Sequence, residues 1–191
     1  SDPAGLDCGA TCTADFVPNS VVTVTATPYI SSTFDGWSGD AGGVTNPLLV
    51  TMDMTKAITA TFTMKTYVIT PTAGANGSIT PSTPQTVNYG SDKVFTIAGD
   101  PHYHILDVMV DSVSVGAVGA YTFTNVAADH IITASFAIDI HSLSLFKDGT
   151  GDGTVANDPT GASFDYGTVV TVTATPYISA TFSLWSGDAS G

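Results

Sequence analysis

A stretch of 23 residues occurs twice in this chain, and that fact constrains the fold more than any other. Val21-Val-Thr-Val-Thr-Ala-Thr-Pro-Tyr-Ile-Ser-Ser-Thr-Phe-Asp-Gly-Trp-Ser-Gly-Asp-Ala-Gly-Gly43 recurs ungapped at 169–191, an offset of 148, and differs only at 180, 183, 184 and 190. A weaker match lies at half that offset, where Ala57-Ile-Thr-Ala-Thr-Phe62 corresponds to Ile131-Ile-Thr-Ala-Ser-Phe136. Two steps of 74 make 148, so three related units are expected: 1–64, 65–138 and 139–191. A fixed period of this kind marks an array of modules. The linkers, Thr63-Met-Lys-Thr66 and Ala137-Ile-Asp-Ile140, contain no Pro/Gly/Ser tract. Linkers this short predict neighbouring modules held semi-rigidly rather than beads on a flexible string.

Within each unit apolar and small polar residues alternate with period two, the signature of a half-buried strand. Val22, Val24 and Ala26 alternate with Thr23, Thr25 and Thr27, and 170–175 repeats the pattern. Ile58, Ala60 and Phe62 alternate with Thr59, Thr61 and Thr63, and Ile132, Ala134 and Phe136 with Thr133 and Ser135. Pro28 and Pro176 end the first kind of strand because proline cannot donate to a ladder. Turns are expected at Gly74-Ala-Asn-Gly77, Gly149-Thr-Gly-Asp-Gly153, Tyr89-Gly90 and Tyr166-Gly167. Composition agrees. The chain has no Glu and no Arg, and Gln85 is its one Gln, so most straight-chain helix formers are missing while β-branched residues abound. The expectation is an all-β, mainly antiparallel fold with little or no helix, built of small sheet modules of five or six strands each.

The combination of Val-Thr-Val-Thr-Ala-Thr-Pro, Ser-Thr-Phe-Asp-Gly-Trp-Ser-Gly-Asp, Val50-Thr-Met-Asp53 and Ile58-Thr-Ala-Thr-Phe62 resembles the divergent internalin-type B-repeat family. In the middle unit, Gly74-Ala-Asn-Gly-Ser-Ile79, Val87-Asn-Tyr-Gly90, Tyr103-His-Ile-Leu-Asp-Val108 and Tyr121-Thr-Phe-Thr-Asn-Val126 resemble another branch of the same bacterial repeats. The resemblance implies β-grasp-like modules, where alternation alone equally permits a sandwich. It further implies tandem use in surface and secreted proteins, and no catalytic residues. A Cys8…Cys12 insertion also occurs in such repeats. The third unit departs from the pattern with Ser183-Leu184 where the first has Asp35-Gly36.

Net charge is −13, with four lysines against 17 aspartates. That balance excludes the basic footprint nucleic acid requires and disfavours anionic membrane surfaces. No apolar run reaches the ~20 residues of a membrane helix, so no membrane insertion is expected. Cys8 and Cys12 can close a small loop if the backbone turns at Gly9, which implies an oxidising, extracytoplasmic compartment. The alternative, half of a zinc site, lacks a second ligand pair of suitable spacing.

Phe34, Trp37, Asp40, Phe62, Phe136, Phe182, Trp185 and Asp188 read as core and turn residues. Trp37 and Trp185, each followed by Ser-Gly-Asp, have an alternative reading as sugar-stacking platforms. Phe34 and Trp37 are an odd number of residues apart, so one faces outward unless a bulge intervenes. His102 and His104, with Asp107 nearby, are a weak metal candidate. Asp148 and Asp152 superficially resemble a calcium loop but lack the closing Glu of the helix-flanked type. No nucleophile elbow is present, and no cofactor is expected. The first unit starts at Ser1-Asp-Pro-Ala-Gly5, which matches Asn157-Asp-Pro-Thr-Gly161, and the third lacks counterparts of 44–63. The expectation is an excerpt of a longer array, or a filament subunit completed by its neighbours through strand donation. The leading functional expectation is an extracellular or cell-surface, non-enzymatic structural or adhesive segment of a stalk or filament that self-associates. The other is a carbohydrate-binding accessory module of a secreted enzyme.

Overall fold

The computed structural model describes residues 1–2, 6, 8 and 12–188; Gly9 and the last three residues of the long repeat lie outside them. Sixteen strands account for all the regular structure of the described residues, with no helix. Four fall in the first sequence unit: β1 (Val21–Val24), β2 (Ser32–Gly39), β3 (Leu48–Thr51) and β4 (Ile58–Met64). The middle unit contributes β5 (Thr66–Ala73), β6 (Gly77–Thr80), β7 (Gln85–Asn88), β8 (Lys93–Gly99), β9 (Tyr103–Val110), β10 (Val113–Gly116), β11 (Ala120–Phe123) and β12 (His130–Ile138). The third adds β13 (Ile140–Ser142), β14 (Gly153–Asp158), β15 (Ser163–Asp165) and β16 (Thr171–Pro176). The middle unit therefore has eight strands rather than five or six. One cause is the β9–β10 hairpin, whose two-residue turn, Asp111-Ser112, takes positive φ (49° and 69°) at both positions. Nothing in Asp-Ser announces such a turn as Asn-Gly would.

The strands belong to two compact units that do not follow the sequence repeats. The first comprises Ser1–Pro71, Thr83–Phe95 and Tyr121–Ile131. In it β1 pairs antiparallel with β3, placing Val22 opposite Val50, and β2 pairs antiparallel with β4. β5 pairs antiparallel with β7 from Thr66↔Asn88 to Ile69↔Gln85. Its buried side chains include Val22, Val50, Ile69 and Phe95, with Phe123 edge-on to Phe95 at 5.9 Å between centroids. Burying a side chain of this size stabilises by ~1.5–3 kcal/mol, so these residues dominate the packing.

The second unit comprises Thr72–Ser82, Thr96–Ala120 and Ile132–Gly191. β6 pairs antiparallel with β8 through Ile79↔Ile97, both buried, and β9 pairs antiparallel with β10 and β12. β13 pairs with β15, and β14 with β16, again antiparallel. The alternation read from sequence holds along β12: Ile132 and Ala134 are buried, Thr133 is half-buried and Ser135 is exposed. The fold is all-β, with small, mostly antiparallel sheets.

Candidate functional site

The Trp-Ser-Gly-Asp segment lies at the end of β2. Pairing with β4 shifts register between Phe34 and Gly36, leaving Asp35 as the extra residue of a β-bulge. The bulge resolves the odd spacing. Phe34 stands opposite Phe62 and Trp37 opposite Ala60, and the Phe34 and Trp37 rings meet edge-on at 5.2 Å. Trp37 is 7% exposed, and its indole N–H donates to the Thr45 carbonyl at 2.9 Å, so neither its faces nor its polar edge are free for a sugar. Gly39, at φ +95°, passes so close to the Ala57 carbonyl that a Cβ there would collide with it. Asp40 then closes the segment: its N–H donates to the Ala57 carbonyl and its carboxylate accepts from the Ala57 N–H at 2.7 Å.

The middle unit reproduces this architecture without the tryptophan. β9 bulges between Ile105 and Asp107, Ile105 faces Phe136, and fully buried Val108 faces Ala134. In the third unit Phe182 and Trp185 approach to 5.0 Å, but 181–186 form no strand. Phe182 is 46% exposed, Trp185 half-buried and Asp188 exposed.

Cys8 and Cys12 form a disulfide, with Cα atoms 5.3 Å apart. Purified without reductant, the chain should show no thiol reactive toward a thiol-specific reagent. Cys8→Ser with Cys12→Ser should cost ~2 kcal/mol or less, the chain-entropy value for so short a loop. Denaturant titration of the two forms measures that difference.

The candidate metal residues are otherwise engaged. His104 donates from Nδ1 to Asp139 at 2.9 Å, and the His102 ring lies flat on Tyr166, with centroids 3.5 Å apart and an interplanar angle of 8°. Asp107 accepts from the Ser114 hydroxyl. In the glycine-rich loop the Lys147 ammonium sits 2.8 Å from Asp152 and 2.9 Å from the Gly153 carbonyl. A cation would need those same oxygens. The Lys147 hydrogen bond also holds the Asp152 carboxyl below its usual range, and Asp152 raises the lysine in return. No cluster of three or more His, Cys, Asp or Glu suited to a metal forms among the described residues.

The residues that sequence reading passed over lie at the unit boundaries. The Lys65 N–H donates to the Ser31 carbonyl at 2.9 Å, and the Lys65 carbonyl accepts from the Tyr89 N–H at 2.9 Å. At the next boundary the Asp139 N–H donates to the His102 carbonyl at 2.8 Å, and its carbonyl accepts from the Tyr166 N–H at 2.8 Å. Lys65 and Asp139 are 74 residues apart, so the clasp obeys the repeat. Its ring pair repeats too: Tyr67 and Tyr89 at 6.3 Å, His141 and Tyr166 at 6.0 Å. The offset of 74 links Lys65 to Asp139 and Tyr67 to His141, whereas Tyr166 lies 77 residues beyond Tyr89 and His102 71 beyond Ser31; the shifted spacing, and Lys against Asp and Tyr against His, hid the match, because the bonds are made by backbone.

No curated protein and no solved structure matches the chain. A family profile, the divergent InlB B-repeat domain, matches at 7–66, 67–140 and 144–191. Three matches in tandem span nearly the whole chain, in keeping with the repeated bulge, turn and clasp, and the chain therefore belongs to the divergent InlB B-repeat family.

Proposed function

We propose that this chain is a structural or adhesive segment of an extracellular stalk or filament, one that self-associates and performs no catalysis. The family suggests a surface repeat module, is typical of surface or secreted bacterial proteins, and is typically non-catalytic. The observation that carries the finer reading is the clasp. Two unrelated linker residues, Lys65 and Asp139, are each fixed by a donated and an accepted backbone hydrogen bond. A linker with both polar groups satisfied loses the freedom of a flexible tether, which suits extension and spacing. The disulfide fits an oxidising compartment, and the acidic surface suits solubility at high local density. Carbohydrate stacking finds no support at Trp37, whose ring is buried.

Electron microscopy of the native material tests this reading. Long regular fibres with a repeat matching two or three modules are the expected result. Dispersed, flexible particles would overturn the filament assignment and make glycan binding the next assay.

A further inference from the structure

The three repeats share a turn, and in the middle repeat that turn carries different chemistry. Each is closed by a 2.9 Å hydrogen bond from the N–H of its fourth residue to the carbonyl of its first: Ser32 to Tyr29, Tyr103 to Asp100 and Ala180 to Tyr177. The first and third repeats place Tyr-Ile-Ser in the turn, at 29–31 and 177–179, where the middle repeat places Asp100-Pro-His102. The backbone differs as well. His102 takes φ +71°, and neither Ser31 nor Ser179 enters that region. With proline second and a positive φ third, the turn has the type II form, whose third position glycine normally fills. His102 therefore stores backbone strain. Its ring lies flat on Tyr166 at 3.5 Å and its carbonyl accepts from the Asp139 N–H at 2.8 Å, which together hold the strained residue in place.

Asp100 is fixed on both sides of its backbone. Its N–H donates to the Asn76 carbonyl at 3.0 Å, and its carbonyl accepts from the Tyr103 N–H. The residue is exposed, and among the described residues its carboxylate accepts no hydrogen bond. A free carboxyl oxygen thus hangs beside its own carbonyl carbon, at the spacing that closes a five-membered ring. The next bond is a tertiary amide, because the proline nitrogen carries a ring carbon in place of a hydrogen. That nitrogen leaves as a secondary amine once it is protonated.

We propose that the Asp100–Pro101 bond is a self-cleavage site. A carboxyl oxygen of Asp100 attacks the Asp100 carbonyl carbon, the carbon–nitrogen bond to Pro101 breaks, and the carboxyl proton passes to the proline nitrogen. The products are a five-membered cyclic anhydride at Asp100 and a secondary amine at Pro101. Water opens the anhydride to two carboxyls, and an amine opens it to an amide and a carboxyl. The Tyr103 N–H already points at the carbonyl oxygen on which negative charge develops. Scission also frees His102 from its strained backbone. Because the carboxyl proton is consumed, the reaction runs faster in acid. The titratable groups about the turn are His102 on Tyr166, Tyr103, His104 with Asp139, and His141 with its ring 6.0 Å from Tyr166; none of them bonds the Asp100 carboxylate. Bonds from Ile97 N–H to Gly119 O at 2.9 Å and from Gly74 N–H to Ala134 O at 2.8 Å join the two sides of the cut, so the nicked product stays together. The bond breaks once per chain, and the reaction stands independently of the stalk reading.

The test incubates the whole chain in mildly acidic and in neutral buffer and follows it by mass spectrometry after denaturation. The expected result is growth of fragments 1–100 and 101–191, faster in acid, with Pro101 as the new N-terminus. Hydroxylamine, still nucleophilic in mild acid, should leave the first fragment ending in a hydroxamate, which direct hydrolysis does not produce. Asp2–Pro3 and Asp158–Pro159 offer the same dipeptide in the same chain and should break at least about tenfold more slowly. Urea, which dissolves the turn, should bring Asp100–Pro101 down to their rate. Asp100→Ala should abolish the cut. His102→Gly adopts positive φ without strain, so it should fold and cleave severalfold more slowly. Absence of fragments, absence of the hydroxamate, equal rates at the three Asp-Pro bonds or an undiminished rate in urea would each overturn the proposal. An unchanged rate in His102→Gly would overturn the part assigned to strain.

Discussion

Trp37→Ala should destabilise the first repeat by ~3–5 kcal/mol, the usual cost of truncating a large buried aromatic. The indole is 7% exposed, stacks edge-on with Phe34, and donates its N–H to the Thr45 carbonyl. Truncation therefore opens a cavity and also leaves that carbonyl without its donor. Trp185→Ala is the natural comparison, because the two sit in nearly identical 23-residue sequences. Trp185 is only half-buried beside a 46% exposed Phe182, so its loss should cost about 1–2 kcal/mol. These are the chain's two tryptophans, so each variant leaves a single fluorophore to follow through a denaturant titration. Equal costs at the two positions would refute the assignment of Trp37 as the core residue of its repeat. A stable Trp37→Ala with new affinity for nothing but lost affinity for a glycan would restore the sugar-stacking alternative.

The same pair of tryptophans shows what the sequence could reveal. Period-two alternation located β1, β4, β12 and β16 because one face of each is the less exposed: Val22 and Ile132 are buried, and Ile58, Ala60, Val172 and Ala174 are half-buried between exposed threonines. The bulge at Asp35 was foreseeable only as a condition: Phe34 and Trp37 could share a face if one residue were extra. The register with β4 supplies that residue, and Leu106 in β9 shows that it belongs to the repeat rather than to the tryptophan. The clasp at Lys65 and Asp139 was illegible for a different reason. Backbone N–H and C=O groups are present at nearly every residue, so a bond made by them imposes no side-chain pattern. Only superposing the two boundaries exposes it. The extra hairpin at Asp111-Ser112 was hidden because neither residue is glycine or asparagine, and the left-handed backbone there is set by the paired strands on either side.

Proline at the clasp should uncouple neighbouring repeats without unfolding either of them. Lys65→Pro and Asp139→Pro remove the N–H that the linker donates to the Ser31 and His102 carbonyls. Each change leaves a carbonyl without its protein donor and places a rigid ring where the linker passes. The linker carbonyl survives, so the bonds it accepts from Tyr89 and Tyr166 remain chemically available. If the two bonds act as one device, they should weaken together. Amide exchange at Tyr89 in the first variant, and at Tyr166 in the second, should then rise by about 10- to 100-fold, equivalent to roughly 1–3 kcal/mol of local stability. Exchange at Ile69 and Ile132, both fully buried, should stay slow in both variants. Lys65→Ala is the control, since it keeps both backbone bonds and should leave Tyr89 nearly unchanged. Asp139→Ala keeps the same bonds but loses the carboxylate that accepts from His104, so a modest rise at Tyr166 is expected there. Unaltered exchange in the proline variants would mean that the linker bonds merely accompany a junction fixed by something else. The stacked rings of His102 and Tyr166 would then be the contact to remove next, and the first junction, where Ser31 stands in place of His102, would be expected to be the looser of the two.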